Sequence, residues 1–279
     1  MAGDAPTGKF ADLSQRAAVA AAFATVAYAA IWYGGLAALL FAMAAGGVAV
    51  WEWRRISRGP VAGPLAPTTA GWQIAAVAGA ACVTHYVDIA SGALFLVVVA
   101  VAGAAADVML RRPPWWSLIG AIYIGLALSF FVILRDEPGQ GFKTIVWLML
   151  LVVATDVGAY FVGRTIGGPK LWVRVSPGKT WSGALGGVGV ATFAAIMFAF
   201  GAGREATLAG VLIAAAISAV SQAGDLAESA YKRRFGVKDS GRILPGHGGL
   251  LDRLDGVIAA TLLVGAISLF APDAPVWAW

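Results

Sequence analysis

Charge is scarce in this chain: Asp, Glu, Lys and Arg make up 13% of its 279 residues, against 59% that are hydrophobic. That scarcity excludes a water-soluble globule, which could not hide so much apolar surface within a chain of this length. Cysteine is scarcer still. The single copy, Cys82, lies inside an apolar segment, so no intrachain disulfide can form and the residue reads as a small buried hydrophobe. There is no internal repeat of convincing period. The first sixteen residues are mostly polar or small, and the apolar run that follows, 17 to 51, far exceeds the roughly 7 to 15 residues of a signal-peptide core.

What is present is hydrocarbon-compatible sequence, repeatedly long enough to cross a bilayer at roughly 20 residues per span. Gly and Ala dominate these stretches and suit helices whose backbones approach closely in a bundle. The run from 17 to 51 fits two helices, about 17–33 and 35–51, turning at Gly34 and Gly35. Further spans are expected at about 72–87, 90–107, 116–134, 143–161, 182–201, 206–224 and 254–271. The fold class is therefore an all-α polytopic membrane bundle of about nine transmembrane helices. Residues 1–58 form a tail and hairpin, the Pro- and Gly-containing stretch 59–71 reads as a cytoplasmic linker, and 72–279 form a catalytic bundle with loops at 162–181 and 225–255.

The basic residues orient this bundle. With the N-terminus cytoplasmic, all but three of the 20 Lys and Arg residues fall on the cytoplasmic side, leaving Arg135, Lys143 and Arg204 outside. The net charge of +5 thus reports topology, and nucleic acid need not be invoked as a partner. The expected location is a bacterial inner membrane, with the active site facing the cytoplasm.

Two cytoplasmic loops are more polar than topology requires. In the longer, Asp225, Ser229 and Lys232 recur at helical spacing on one face, while Asp252 and Asp255 begin the last span at i, i+3. Two carboxylate-bearing helices flanking one loop can hold a divalent cation, and magnesium takes a few carboxylates together with water and substrate phosphates. Asp225 and Asp252 are the expected metal ligands. A structural alternative is that these acids only pair with Lys232, Arg233 or Arg253. Between the helices, Pro245, Gly246, His247, Gly248 and Gly249 cannot form a regular helix interior, and their glycines would let backbone N–H groups approach a phosphate. In the shorter loop, Asp156 precedes Tyr160, Gly163 and Arg164, and the run from Ser176 to Gly183 follows. Gly178-Lys179-Thr180 invites a P-loop assignment, but Val173 stands where that motif needs glycine and no strand is expected before it. Ser176 or Thr180 is expected to cap the next span while Lys179 reaches a phosphate.

Taken together, Ser229, Lys232-Arg233, Lys238-Asp239, Pro245, His247-Gly248-Gly249, Asp252-Arg253 and Asp255 resemble in register the signature of the phosphatidate cytidylyltransferases, or CDP-diacylglycerol synthases. Tyr231 departs mildly from the aliphatic residue or Phe of that pattern. Asp156 to Arg164 and Ser176 to Gly183 resemble two upstream family segments. The resemblance is close over about 156–255 and elsewhere rests on hydropathy. It implies transfer of CMP from CTP to phosphatidic acid in the membrane lipid, giving CDP-diacylglycerol and pyrophosphate with Mg2+ as cofactor; it leaves room for a second cation and for a homodimer. The implied catalytic set is Asp225, Ser229, Lys232, His247, Asp252, Arg253 and Asp255. The implied substrate contacts are Asp156, Tyr160, Arg164, Lys179, Thr180, Arg233, Lys238, Gly248 and Gly249. A polyprenol or phytol kinase and an ether-lipid cytidylyltransferase are the nearest alternatives. A cation-coupled transporter fits less well, because the polar residues cluster at span ends rather than mid-membrane. A CDP-alcohol phosphotransferase is disfavoured by the lack of an Asp-Gly-x-x-Ala-Arg run.

Overall fold

The computed structural model describes residues 9–57, 70–111, 113–243, 248–270 and 274–278, with side chains described from residue 18 onward. Most of the expected linker at 59–71, and Pro245 to His247, lie outside the described residues. Among the described residues there are nine α-helices: α1 (Lys9–Tyr33), α2 (Gly35–Ser57), α3 (Gly71–Tyr86), α4 (Ile89–Met109), α5 (Trp115–Asp136), α6 (Gly141–Ile166), α7 (Trp181–Gly201), α8 (Leu208–Arg234) and α9 (Leu251–Phe270). They fall where the hydrophobic runs predicted helices. Seven, α2 and α4 to α9, are long and apolar enough to cross a membrane; α3 has 16 residues, and the described apolar part of α1 is Ala18–Tyr33.

Local chemistry sets the helix ends. Asp88, Thr207 and Thr180 cap α4, α8 and α7, each side chain accepting from the amide three residues on, at 2.8, 3.0 and 3.1 Å. The turn between α1 and α2 uses Gly34 and Gly35 at φ +67 and +48, as the sequence suggested. The Arg135 guanidinium fills the space beside Gly34 and donates to the Ile31 and Trp32 carbonyls at 2.5 and 3.0 Å, satisfying the C-terminus of α1.

One feature departs from the expected all-helical fold. Two short strands, β1 (Lys170–Trp172) and β2 (Ser176–Thr180), form an antiparallel hairpin between α6 and α7, pairing Lys170 with Thr180 and Trp172 with Ser176. A strand therefore does precede α7, contrary to expectation. It is the second arm of a hairpin rather than a strand feeding a glycine-rich loop, so the P-loop remains excluded. The helix before the signature loop, α8, continues past the apolar span that ends at 224 to Arg234, as the helical spacing of Asp225, Ser229 and Lys232 implied.

The bundle core has two main centres. Near the hairpin end, Ala49, Val50, Trp53 and Ile56 of α2 pack with Val77, Ile124, Ala127, Tyr231, Leu251 and Ile258. Near the opposite end, Ile145, Leu148 and Leu151 of α6 join Ile217, Val264 and the docked C-terminal segment at Val276 and Trp277. The seam between α6 and α7 is backbone-close: the buried face of α7 is Gly183, Gly187, Ala191 and Ala195, a small residue every fourth position. A side chain at Gly183 would approach the Ala159 carbonyl to 2.7 Å, and one at Gly187 the Thr155 carbonyl to 2.8 Å.

Candidate functional site

That seam sets the walls of a cavity of about 610 Å³ at the hairpin end. Asp156, Tyr160 and Arg164 contribute from α6, Lys170, Lys179 and Thr180 from the hairpin, Ala184 from α7, and Gln222 and Asp225 from α8. Thr180 is both lining residue and N-cap, so the turn that starts α7 also places Lys179 over the cavity. Its ammonium lies 2.5 Å from the Asp225 carboxylate. Tyr160 and Arg164, one turn apart, touch through phenol and guanidinium at 3.4 Å and present exposed side chains. The shorter loop thus brings together five of the residues expected to contact substrate.

The signature loop builds a second cluster beside the first. Ser229 donates to Asp225 at 3.3 Å. Lys232 is buried and holds two carboxylates, Glu228 at 2.5 Å and Asp252 at 2.6 Å. Asp252 also accepts from the Ser240 amide at 2.9 Å and the Gly249 amide at 2.9 Å. Asp255, one turn deeper on α9, accepts from the Gly256 amide at 2.7 Å, and its electrostatic neighbours are Asp225, Lys232 and Lys179. Asp156 in turn lies within electrostatic reach of Asp225 and Lys179. Asp225 is therefore the acid both clusters share.

This arrangement bears on the expected metal ligands. Asp252 has its oxygens engaged by an ammonium and two amides, whereas Asp255 is the α9 carboxylate that stands in electrostatic contact with Asp225. Asp156 and Asp255 each lie within electrostatic reach of both Asp225 and Lys179, and a further cation there would ease the repulsion between like charges. Among the described residues no three His, Cys, Asp or Glu side chains converge at metal-binding spacing. Magnesium does not require that, since it commonly uses one or two carboxylates and completes its shell with water and phosphate.

The remaining expected residues are more dispersed. Arg233 donates to the Val237 carbonyl at 3.1 Å and closes the end of α8; Arg233, Lys238 and Arg253 are all exposed. None of the three lines the cavity. Gly248 has φ +85, which excludes most other residues, and Gly249 is pressed between Ser240 and Glu52 with no room for a side chain. His247 lies outside the described residues.

Glu228, Gln222, Ser240 and Glu52 were not singled out from the sequence. Gln222 and Glu228 could have been found, since they sit three residues either side of Asp225 on the same polar helix. Glu52 was hidden by a boundary: with the second span ending at 51, it reads as a loop residue, yet the helix continues to Ser57 and Glu52 has no accessible surface.

Comparison with known proteins gives consistent results. A model of the family described as "Cytidylyltransferase family" matches residues 14–270. A protein of Brucella suis biovar 1 (strain 1330) named phosphatidate cytidylyltransferase is 40% identical over 274 residues, covering 95% of this chain and 97% of its own length. Proteins of the same name from Bacillus subtilis (strain 168) and Staphylococcus haemolyticus (strain JCSC1435) are 44% and 42% identical over about half of each chain: 49% of this one and 51% of the former, 50% and 52% for the latter.

Proposed function

The chain belongs to the cytidylyltransferase family, and from that premise we propose that it transfers CMP from CTP to phosphatidic acid, forming CDP-diacylglycerol and releasing pyrophosphate. The observation that carries this is the position of Asp225, held by Lys179 at 2.5 Å in the cavity and within electrostatic reach of Asp255 on α9. A phosphate oxygen of phosphatidate attacks the α-phosphorus of CTP, an O–P bond forms, and the bond to pyrophosphate breaks. A phosphomonoester has its second pKa near 6, so much of the nucleophile is already dianionic at neutral pH and needs no strong base. The barrier lies in bringing anions together, and the chain's part is to position them and neutralise charge.

Lys179, Lys170 and Arg164 line the cavity and are assigned to substrate phosphates, with Tyr160 beside Arg164. Asp225 would hold a divalent cation with an α9 carboxylate, and Asp255 faces it more freely than Asp252. When bound, such an ion supplies Lewis-acid charge at the phosphates. Lys232, clamped between Glu228 and Asp252, fixes the start of α9 relative to α8. We place the cavity at the cytoplasmic face of a bacterial membrane, where the basic loops orient it.

The test is to supply detergent-purified protein with phosphatidate, labelled CTP and magnesium. A cytidine-labelled lipid appearing with pyrophosphate, and lost with EDTA, is the expected result. CDP left in solution beside a newly phosphorylated lipid would instead mean a kinase, and no reaction with any lipid phosphate would reject the assignment.

A further inference from the structure

Glu52 is a fully buried carboxylate on α2, and the phosphate chemistry above makes no use of it. A carboxylate taken out of solvent in a membrane protein is costly unless donors match it. Its donors come from one place. Oε2 accepts from the Leu251 amide at 2.7 Å and from the Ser240 hydroxyl at 3.0 Å, while Oε1 is buried without a hydrogen-bond partner among the described residues. Leu251 is the first residue of α9, so Glu52 sits where the free amides and the positive end of that helix point.

The fit is steric as well as polar. A Cβ built on Gly241 has Glu52 atoms as its three nearest neighbours, the first of them in direct collision, and one on Gly249 would meet the Glu52 oxygens at 2.6 and 2.7 Å. Two points of the loop between α8 and α9, at Gly241 and Gly249, therefore close over a carboxylate from another helix. That helix is itself anchored there: Trp53 donates to the Trp116 carbonyl at 2.7 Å, Tyr231 donates to the Trp53 carbonyl at 2.8 Å, and the Trp53 and Tyr231 rings stack at 4.0 Å.

We infer that Glu52 is a positioning residue for the transfer reaction, clasping the start of α9 and the loop at Ser240 and Gly241 so that Asp252 and Asp255 are presented at a fixed depth and rotation. Asp255 lies one turn from Leu251, so any slip of that first turn moves it directly. The inference rests on the cytidylyltransferase reading for its catalytic consequence, but the clasp itself can be measured without turnover.

Glu52→Gln in the full chain should lower turnover per folded molecule by about 10- to 100-fold, the usual effect of losing a partner that orients a site residue. It should also speed hydrogen exchange at the Leu251 amide, the one backbone donor to Oε2. Wild-type turnover and exchange in a folded Glu52→Gln protein would overturn the proposal. If that variant does not fold, Gly241→Ala decides, because it leaves the carboxylate present and only crowds it. The expected result is a loss of turnover that Glu52→Asp, one methylene shorter, partly restores in the double variant; full activity of Gly241→Ala, or two losses that simply add, would refute the clasp. A wild-type protein inert toward CTP and phosphatidate would reject the functional reading alone, leaving the exchange measurement to judge Glu52.

Discussion

Lys179 and Asp225 hold each other at 2.5 Å inside the cavity, so removing either charge strands the other among like charges or unpaired. Asp225→Asn should cut turnover by about 10²–10³-fold, on the scale of losing one preorganised electrostatic group, without loss of folded protein by size-exclusion chromatography. Asp255→Asn should act similarly. Asp252→Asn should differ in kind: it removes the charge and one of the two acceptor oxygens that Lys232, Ser240 and Gly249 share, so loosened hydrogen exchange around 240–243 and 248–251 should accompany its loss of turnover. Lys179→Met should raise the KM for CTP, as measured in the same labelled-lipid assay. At this scale the sequence was most legible where chemistry demands spacing. Asp225, Ser229, Lys232, Asp252 and Asp255 do gather. Which α9 acid faces Asp225 was not legible, because i, i+3 positions share a face broadly and only the packing of α8 on α9 separates them.

Among the elements, α2 carries more than its hydropathy announces. Arg54 pairs with Asp107 of α4 at 3.0 Å, with both side chains almost wholly buried. Removing one partner of such a pair leaves a buried charge uncompensated, at about 3–5 kcal/mol, whereas replacing both by apolar groups is often tolerated. Arg54→Met and Asp107→Leu should thus each lower the unfolding temperature in detergent more than the double variant does. In the sequence, Arg54 counted only as one more cytoplasmic positive charge, and Asp107 as part of an apolar span, since their pairing links helices distant in the chain. The β1–β2 hairpin escaped for another reason. Its strands have 3 and 5 residues, too short for alternation to register, and Pro177 and Gly178 read as loop.

For the molecule as a whole, the three basic residues that the expected topology leaves outside are engaged by structure. Arg135 caps α1, while Lys143 and Arg204 each lie over the Trp277 ring, at 5.5 and 5.6 Å from its centroid. Cation–π contacts of this kind contribute about 0.5–1 kcal/mol where exposed. Because α7 separates Arg174 from Arg204, cysteines placed at these two positions in a Cys82→Ala background should be labelled from opposite sides of the membrane by an impermeant reagent. Labelling of both from one side would contradict a crossing by α7. Helix positions were read well from hydrophobic runs; the docking of the C-terminal segment was not, because a short segment with one buried Trp carries no period.

The glycine seam between α6 and α7 has a bearing on traffic. Two helices whose backbones nearly touch leave no crevice for an acyl chain, so a lipid diffusing in the bilayer cannot slip between them to reach the cavity they wall. Its route must pass another border, and the seam acts as a closed shutter on this side of the protein. Widening it with a larger residue at Gly187 would push the walls apart instead of opening a door.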